Sequence, residues 1–353
     1  MKKVLIFSDI HIHPHKRRTE RLEDCLSVLQ WVFDQAKSNG VKQIIFGGDL
    51  FHDRQKIDVY TYQRTFEVLK RNLGTNDFEL YVLLGNHDMW FNEDTSISSV
   101  TPMGSLPNIH IVDKPTRITI CGSSWDFIPF THDPMLAVEN LSKQAGSMEY
   151  CIGHLAIDGA VLHGSSISDV AIEHDGEMVK VSTGLFKNYK KVFLGHYHSE
   201  QRLEPNVEYI GSPLQLSFGE AFQQKHIILF DCSTSEQSYI KNEFSPKHLV
   251  LRPDEVEKHD LDKNFIRVVV DDISATDLLD MRKDIAKDKT LGSLEIRQQK
   301  KKVDDKALED AKTIVLREDE MIQQYVDAVG CDGLDRDKLI NVGKMICEGG
   351  TIE

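Results

Sequence analysis

The stretch "VLIFSDIHIH", residues 4–13, decides the fold. Its first four residues are continuously apolar, as a strand buried on both faces requires. Such strands belong to parallel sheets covered by helices. The run then stops at an acid, Asp9, and a histidine, His11, one residue apart from it. Both side chains bind metals, and both stand where a strand emerges. In open α/β sheets, sites form beyond the carboxyl ends of the strands.

Working outward, residues 20–37 carry apolar side chains at Leu22, Cys25, Leu26, Leu29, Val32, Phe33 and Ala36, the spacing of an amphipathic helix. Asn39-Gly40 is a good stop for it. "VKQIIFGGD" (41–49) reads as a second strand, 59–73 as a second helix and "FELYVLLGNHD" (78–88) as a third strand. This alternation predicts an α/β fold, a mainly parallel sheet with helices on its faces. From about 107 to 231 strand-like pieces such as "YCIGH", "KVFLGH" and "HIILFD" are separated by loops, with one helix-like stretch near 134–145. "NFIRVVVDD", "ISATDLLDMRKDIAKD" and "LGSLEIRQQ" read as strand–helix–strand over 264–298. Two helical stretches follow, 304–329 and 335–347.

A chain of 353 residues exceeds one small core and predicts one large domain with smaller units. No apolar run approaches the roughly 20 residues of a membrane span. "MKK" leads directly into the first strand without a signal-peptide pattern, so a cytoplasmic location is expected. The six cysteines are scattered and form no CxxC pair, which argues against a disulfide framework and a zinc knuckle. The net charge of −14 is not the footprint of a protein that grips nucleic acid over its whole surface. Half of it lies in residues 303–353, with 6 Lys/Arg against 13 Asp/Glu. Two local basic patches stand out, "HKRR" with Arg21 (15–21) and "RQQKKK" (297–302).

Five short motifs fall at strand ends: "DIH" (Asp9, His11), "GDLFHD" (Asp49, His52, Asp53), "GNHD" (Asn86, His87, Asp88), "GH" (His154) and "GHYH" (His196, His198). They hold six of the 15 histidines. Singly, each has a plain reading: a satisfied polar pair, a turn, or a strand edge with alternating histidines. Together, in this order and after strands, they point to one metal centre. Imidazole nitrogen with carboxylate and amide oxygen, and no thiolate, suits manganese, iron or zinc. A glycine before a ligand lets the backbone turn tightly and approach the site.

This set resembles the calcineurin-like metallophosphoesterase superfamily. The resemblance implies a four-layered α/β sandwich with a small α+β capping domain and C-terminal helices. It also implies two divalent metal ions per chain, with Mn2+ the expected ion. One ion would take Asp9, His11, Asp49 and His198; the other would take Asn86, His154 and His196, with Asp49 bridging. His87 would face the scissile phosphate as general acid or as stabiliser of the pentavalent state. Within the superfamily, phosphoprotein phosphatases carry "GNHE" and an Asp three residues after the metal Asp. Here "GNHD" and His52 stand instead, and "GDLFH" resembles the SbcD family of DNA repair nucleases. By that resemblance His52 helps position the DNA phosphate; otherwise it is a loop histidine capping a helix. Asp53 and Arg54 follow where the family commonly has small residues.

The SbcD resemblance divides the chain into a nuclease domain (1–262), a capping, DNA-access domain (263–302) and a helical segment (303–353) that binds an ABC-type coiled-coil ATPase, the SbcC-like partner. Acidic helices suit a basic partner surface. A homodimer through helices near 57–73 and DNA as substrate follow from the same resemblance. The expected activity is metal-dependent exonuclease and endonuclease cleavage of DNA phosphodiesters in repair, recombination and replication. Two other readings stay open: a phosphoesterase for small phosphodiesters or phosphoproteins, and a non-catalytic scaffold that kept the fold. The scaffold reading expects broken ligand motifs, and all are intact.

Overall fold

The computed structural model describes residues 2–14, 19–75, 77–91, 94–161, 167–168, 170–174, 177–271, 273–287, 289–298 and positions 336, 338 and 340. The expected helices over 304–329 and 335–347, most of the basic patch 15–21 and residues 299–302 of the other lie outside them, apart from the helical positions 336, 338 and 340. The chain separates into two units, Met1–Gln298 and Gln299–Glu353.

The first unit is built on two six-stranded sheets. One contains β1 (Lys3–Phe7), β2 (Gln43–Phe46), β3 (Glu79–Leu83) and β4 (Ile109–Val112), all parallel. The other contains β5 (Thr116–Ile120), β6 (Ser123–Ile128), β7 (Tyr150–His154), β10 (Lys191–Gly195), β11 (Gln201–Glu204) and β12 (Val207–Tyr209). Between β7 and β10, the hairpin β8 (Ala171–His174) and β9 (Glu177–Lys180) stands apart from both sheets. Then β13 (Lys225–Asp231) returns antiparallel to β1, and β14 (Glu236–Asn242) closes the first sheet's edge.

The apolar run of β1 serves both faces of its sheet. Val4 and Ile6 point into the core between the two sheets, with Ile45, Tyr81, Trp125, Phe127, Ile152, Phe193 and Phe230. Leu5 and Phe7 point the other way, under α1 (Thr19–Ser38) and α2 (Val59–Leu73). In β10, Val192 and Leu194 lie under α3 (Pro134–Ser142), opposite Phe193. Helix, sheet, sheet and helix are therefore the four layers. Each fully buried Leu, Ile or Phe contributes about 1.5–3 kcal/mol relative to exposure.

The local signals are used as the sequence predicts. The seven apolar positions named above are all buried, and Val28 with them. It ends at Gly40 with φ +65°, where the Gly40 N–H donates to Lys37 O and the Val41 N–H to Ala36 O, a Schellman stop. Asp58 caps α2 by accepting from the Thr61 N–H at 2.9 Å.

The strand–helix–strand unit is β16 (Phe265–Val270), α4 (Ala275–Ala286) and β17 (Ser293–Gln298), all within the first unit. Its sheet gains a third strand, β15 (His248–Leu251), upstream of the expected boundary at 263. β14 and β15 carry no long apolar run, so periodicity alone did not reveal them. The small sheet has its own core of Leu249, Leu251, Ile266, Val268, Val270 and Ile285.

Candidate metal centre

Parallel pairing puts the ends of β1, β2 and β3 on one edge, and the next residues carry the motifs. The chain does not leave these strands extended. Asp9, His11, Asp49 and His196 all have positive φ (55°, 47°, 62° and 101°), a region that costs non-glycine residues energy. The turns are held by backbone bonds: the Asp9 N–H donates to Gly48 O and the His11 N–H to Asp49 O. The glycines have steric work as well. A Cβ on Gly85 would collide with the Asp49 carboxylate, and one on Gly48 would meet His154 Nδ1 at 2.5 Å.

The side chains turned inward by these bends converge. Asp49 Oδ2 lies 3.4 Å from both His11 Nε2 and His154 Nε2, midway between two donor sets. On one side, His11 Nε2 is 3.1 Å from His198 Nε2 and 3.9 Å from Asp9 Oδ1. On the other, Asn86 Oδ1 is 3.1 Å from His154 Nε2 and 3.0 Å from His196 Nδ1. Asp9, His11, Asp49 and His154 are buried, whereas Asn86, His87, His196 and His198 are partly open. His52 is exposed, with its ring 5.6 Å from that of His11 and 4.6 Å from that of His13.

The donor set fits cations. His154 Nδ1 faces the Gly47 carbonyl at 2.8 Å, and a carbonyl only accepts, so Nδ1 carries the proton. A neutral ring then turns a bare Nε2 lone pair toward the Asp49 carboxylate. His198 repeats the pattern: Nδ1 faces the buried Glu220 carboxylate at 3.3 Å, leaving Nε2 turned to His11. Lone pairs that converge without a hydrogen between them need a positive charge. Without cations, protons serve: burial lowers the His154 pKa, but the Asp49 carboxylate outweighs it and lifts the ring to about 9. Burial and the charge of His154 hold His196 down at about 3. Burial raises Asp9, while the surrounding imidazoles overcome burial at Asp49 and hold it far below the usual carboxylate range.

His87 lies beside this cluster. Its N–H donates to Asp49 Oδ1 at 2.8 Å and its Nδ1 meets the His52 carbonyl at 2.5 Å. One of its ring nitrogens stands within 4.8 Å of donor atoms of His11 and Asp49.

Two contributors were not assigned from the sequence. Asp88 is buried and accepts from the Asp49, Leu50 and Gly85 N–H groups at 2.9, 2.9 and 3.0 Å, pinning two site loops together. Burial and the Asp49 charge push its pKa up to about 7. It stands in "GNHD", so the signal was in the motif. Glu220, behind His198, follows no recognised motif and had no local signal.

Parallel strand ends that bring histidine and carboxylate donors together around Asp49 form a candidate dimetal site of the phosphoesterase kind. The sequence profile of calcineurin-like phosphoesterases matches residues 2–200, which include all five motifs. The chain belongs to the calcineurin-like phosphoesterase family. It is similar to exonuclease subunit 1 of Enterobacteria phage T4, at 24% identity over 253 residues, covering 69% of this chain and 70% of that one. It is also similar to the SbcD component of the SbcCD nuclease of Escherichia coli K12, at 26% identity over 299 residues, 73% of this chain and 71% of that one. Among solved structures, a dimetal phosphatase from Danio rerio aligns with TM-score 0.40 and 9% identity over 68% of this chain and 98% of its own. No helix among the described residues is long and apolar enough to cross a membrane.

Proposed function

We propose that this chain is the metal-dependent nuclease subunit of an SbcCD-like complex that cleaves DNA phosphodiesters in repair, recombination and replication. The observation that carries the reading is the link between His87 and the "GDLFHD" loop: the ring of His87 is oriented by the His52 carbonyl and its backbone by Asp49. The loop that distinguishes nuclease-like members thus sets the angle of the histidine beside the cluster. The names of the similar exonuclease and nuclease subunits support the same reading.

Asp9, His11, Asp49 and His198 would hold one divalent cation, and Asn86, His154 and His196 the other, with Asp49 shared; Mn2+ suits these nitrogen and oxygen donors. When bound, the pair supplies Lewis acidity toward a phosphate oxygen and a nucleophile at neutral pH. The protein's own residues do the rest. Asp49 balances the two halves. His87, held at Nδ1, presents Nε2 to the phosphate and delivers a proton to the leaving oxygen. His52, exposed at the mouth and beside His13, orients a neighbouring phosphate of the strand.

The division into a nuclease body (1–262), a cap (263–302) and a partner-binding segment (303–353) belongs to the same proposal, with an ABC-type coiled-coil ATPase as the partner. A homodimer through α2 is supported by exposed apolar side chains at its start, Val59 (80% exposed) and Tyr60 (50%).

The purified full chain with Mn2+ should degrade linear duplex DNA, and co-expressed ATPase should alter the extent of degradation. Intact DNA in both conditions, with fast turnover of a small phosphodiester or a phosphopeptide, would replace this reading with a general phosphoesterase.

A further inference from the structure

The segment 212–225 touches two parts of the protein that no motif connects. Its inner side ends on a candidate ligand. Glu220 is 1% exposed, and its Oε1 meets His198 Nδ1 at 3.3 Å. Its Oε2 accepts from Lys225 Nζ at 2.7 Å, from Ser212 Oγ at 3.1 Å and from the Leu216 N–H at 3.2 Å. The buried Lys225 ammonium also donates to the His198 carbonyl at 2.8 Å and to Gln223 Oε1 at 3.1 Å. The Ser212 N–H donates to that carbonyl at 3.0 Å. His198 is therefore held at ring and backbone by one segment.

The outer side of the segment grips the small three-stranded sheet. Gln215 Oε1 accepts from the His248 N–H of β15 at 2.6 Å. The Phe218 ring packs edge-to-face on the His248 ring at 4.9 Å, and the Arg267 guanidinium of β16 covers it at 3.9 Å. Gln215 Nε2 donates to Gln223 O at 2.9 Å, which ties the two ends of the segment together. Phe218 and Glu220 sit in one 3-10 turn, Phe218–Glu220. The two residues are two positions apart on one short turn, so a displacement of that turn's backbone carries both side chains.

We propose that segment 212–225 is a strut through which the small sheet sets the metal centre, with Glu220 as the positioning residue that aims His198. The proposal rests on the metal-centre reading above. Its physical basis is that an acceptor behind a ligating imidazole fixes both tautomer and ring angle, and loss of such an acceptor weakens metal affinity about 10- to 100-fold. The Lys225 ammonium, 2.7 Å from Glu220 Oε2, pairs the buried carboxylate and holds it in place. The chemistry of the ligand is unchanged; the strut decides how well the site is formed when the small sheet is seated and how poorly when it is displaced.

The test is Mn2+ binding by the full chain without DNA, followed by calorimetry and by the electron paramagnetic resonance of bound Mn2+. Glu220→Gln keeps shape and removes charge, and should weaken one of two binding events about tenfold. Phe218→Ala and Arg267→Ala, both at the outer end, should weaken the same event by about two- to tenfold. Arg267 is partly exposed, so its variant remains informative where Phe218→Ala fails to fold. His198→Ala separates the two levels of the argument. If it binds Mn2+ as the wild type does, the metal-centre reading is wrong. If it loses an ion while Glu220→Gln binds normally, the positioning role is overturned. If Glu220→Gln binds weakly while folded Phe218→Ala or Arg267→Ala binds normally, the connection to the small sheet is overturned.

Discussion

The Asp88 carboxylate accepts the Asp49 N–H at 2.9 Å, two acids held together by one backbone hydrogen. Asp88 also accepts from Leu50 and Gly85, so removing it leaves three N–H groups without an acceptor in a buried place. Each such orphan costs about 1–3 kcal/mol. Asp88→Ala should therefore lose at least about 2 kcal/mol of stability by urea unfolding, and Asp88→Asn, which keeps one carbonyl acceptor, should lose less. Equal stability of all three proteins would show that these bonds do not hold the loops.

Cation removal should be visible without any substrate. The lone pairs of His154 and His198 meet Asp49 and His11 with nothing between them but protons. A cation that binds only the folded chain stabilises it by about 4 kcal/mol at a thousandfold excess over Kd. Chelator should lower the Tm, and Mn2+ in excess should restore it. A Tm indifferent to both would mean that the cluster holds no ion.

His87 and Asp49 should fail in different ways. With His87 as the proposed proton donor, His87→Ala should reduce the proposed DNA cleavage by about 10²- to 10⁴-fold while Mn2+ still binds. Asp49→Ala removes the oxygen that lies 3.4 Å from both His11 Nε2 and His154 Nε2 and should lose both cleavage and Mn2+ binding. Single-turnover cleavage with a parallel metal titration separates the two, and loss of metal by His87→Ala would contradict its assigned role.

Acid should act partly through Glu220. Burial raises its pKa, but the hydrogen bond from His198 and the Lys225 ammonium outweigh burial and bring it down to about 2 from 4.5. A depressed carboxyl stabilises the fold above its unfolded value and loses that contribution as pH falls through the folded one. In chelator, the stability difference between wild type and Glu220→Gln should be widest above pH 4.5 and should shrink toward pH 2. A difference constant across that range would argue against an ionised Glu220.

Between β5 and β6, Arg117 forks onto buried Asp126 at 2.6 and 2.8 Å, and the Tyr189 hydroxyl donates to the same carboxylate at 2.7 Å. Arg117→Ala leaves a buried charge with half its partners and should cost about 3–5 kcal/mol. Arg117→Lys loses the planar fork and should recover only part of it. Calorimetric melting would register this as a lower Tm with metal affinity unchanged.

The donors near strand ends were legible because two patterns coincide there: an apolar run that stops, and a ligand type that begins. Asp9, His11, Asp49, Asn86, His154, His196 and His198 all follow that rule, and the structure brings them into one cluster. The first helix was legible for a similar reason, since seven apolar residues recur at one spacing. Glu220 follows no such rule. It lies in a segment of mixed composition, and only the return of β13 beside β1 carries it behind His198. β14 was also hidden, because an edge strand with one solvated face has no continuous apolar run.

By itself, then, the sequence determined a mainly parallel sheet with helices on its faces and the chemistry of the donors, because burial and ligand preference are properties of residue types at short spacing; the four layers were expected only from the family resemblance. Only the tertiary structure decided which oxygen lies between the two donor sets, which acid backs which imidazole and which segment contacts both His198 and the small sheet. Those relations depend on distances between residues far apart in the chain, 187 positions in the case of His11 and His198, and these are set by packing rather than by local pattern.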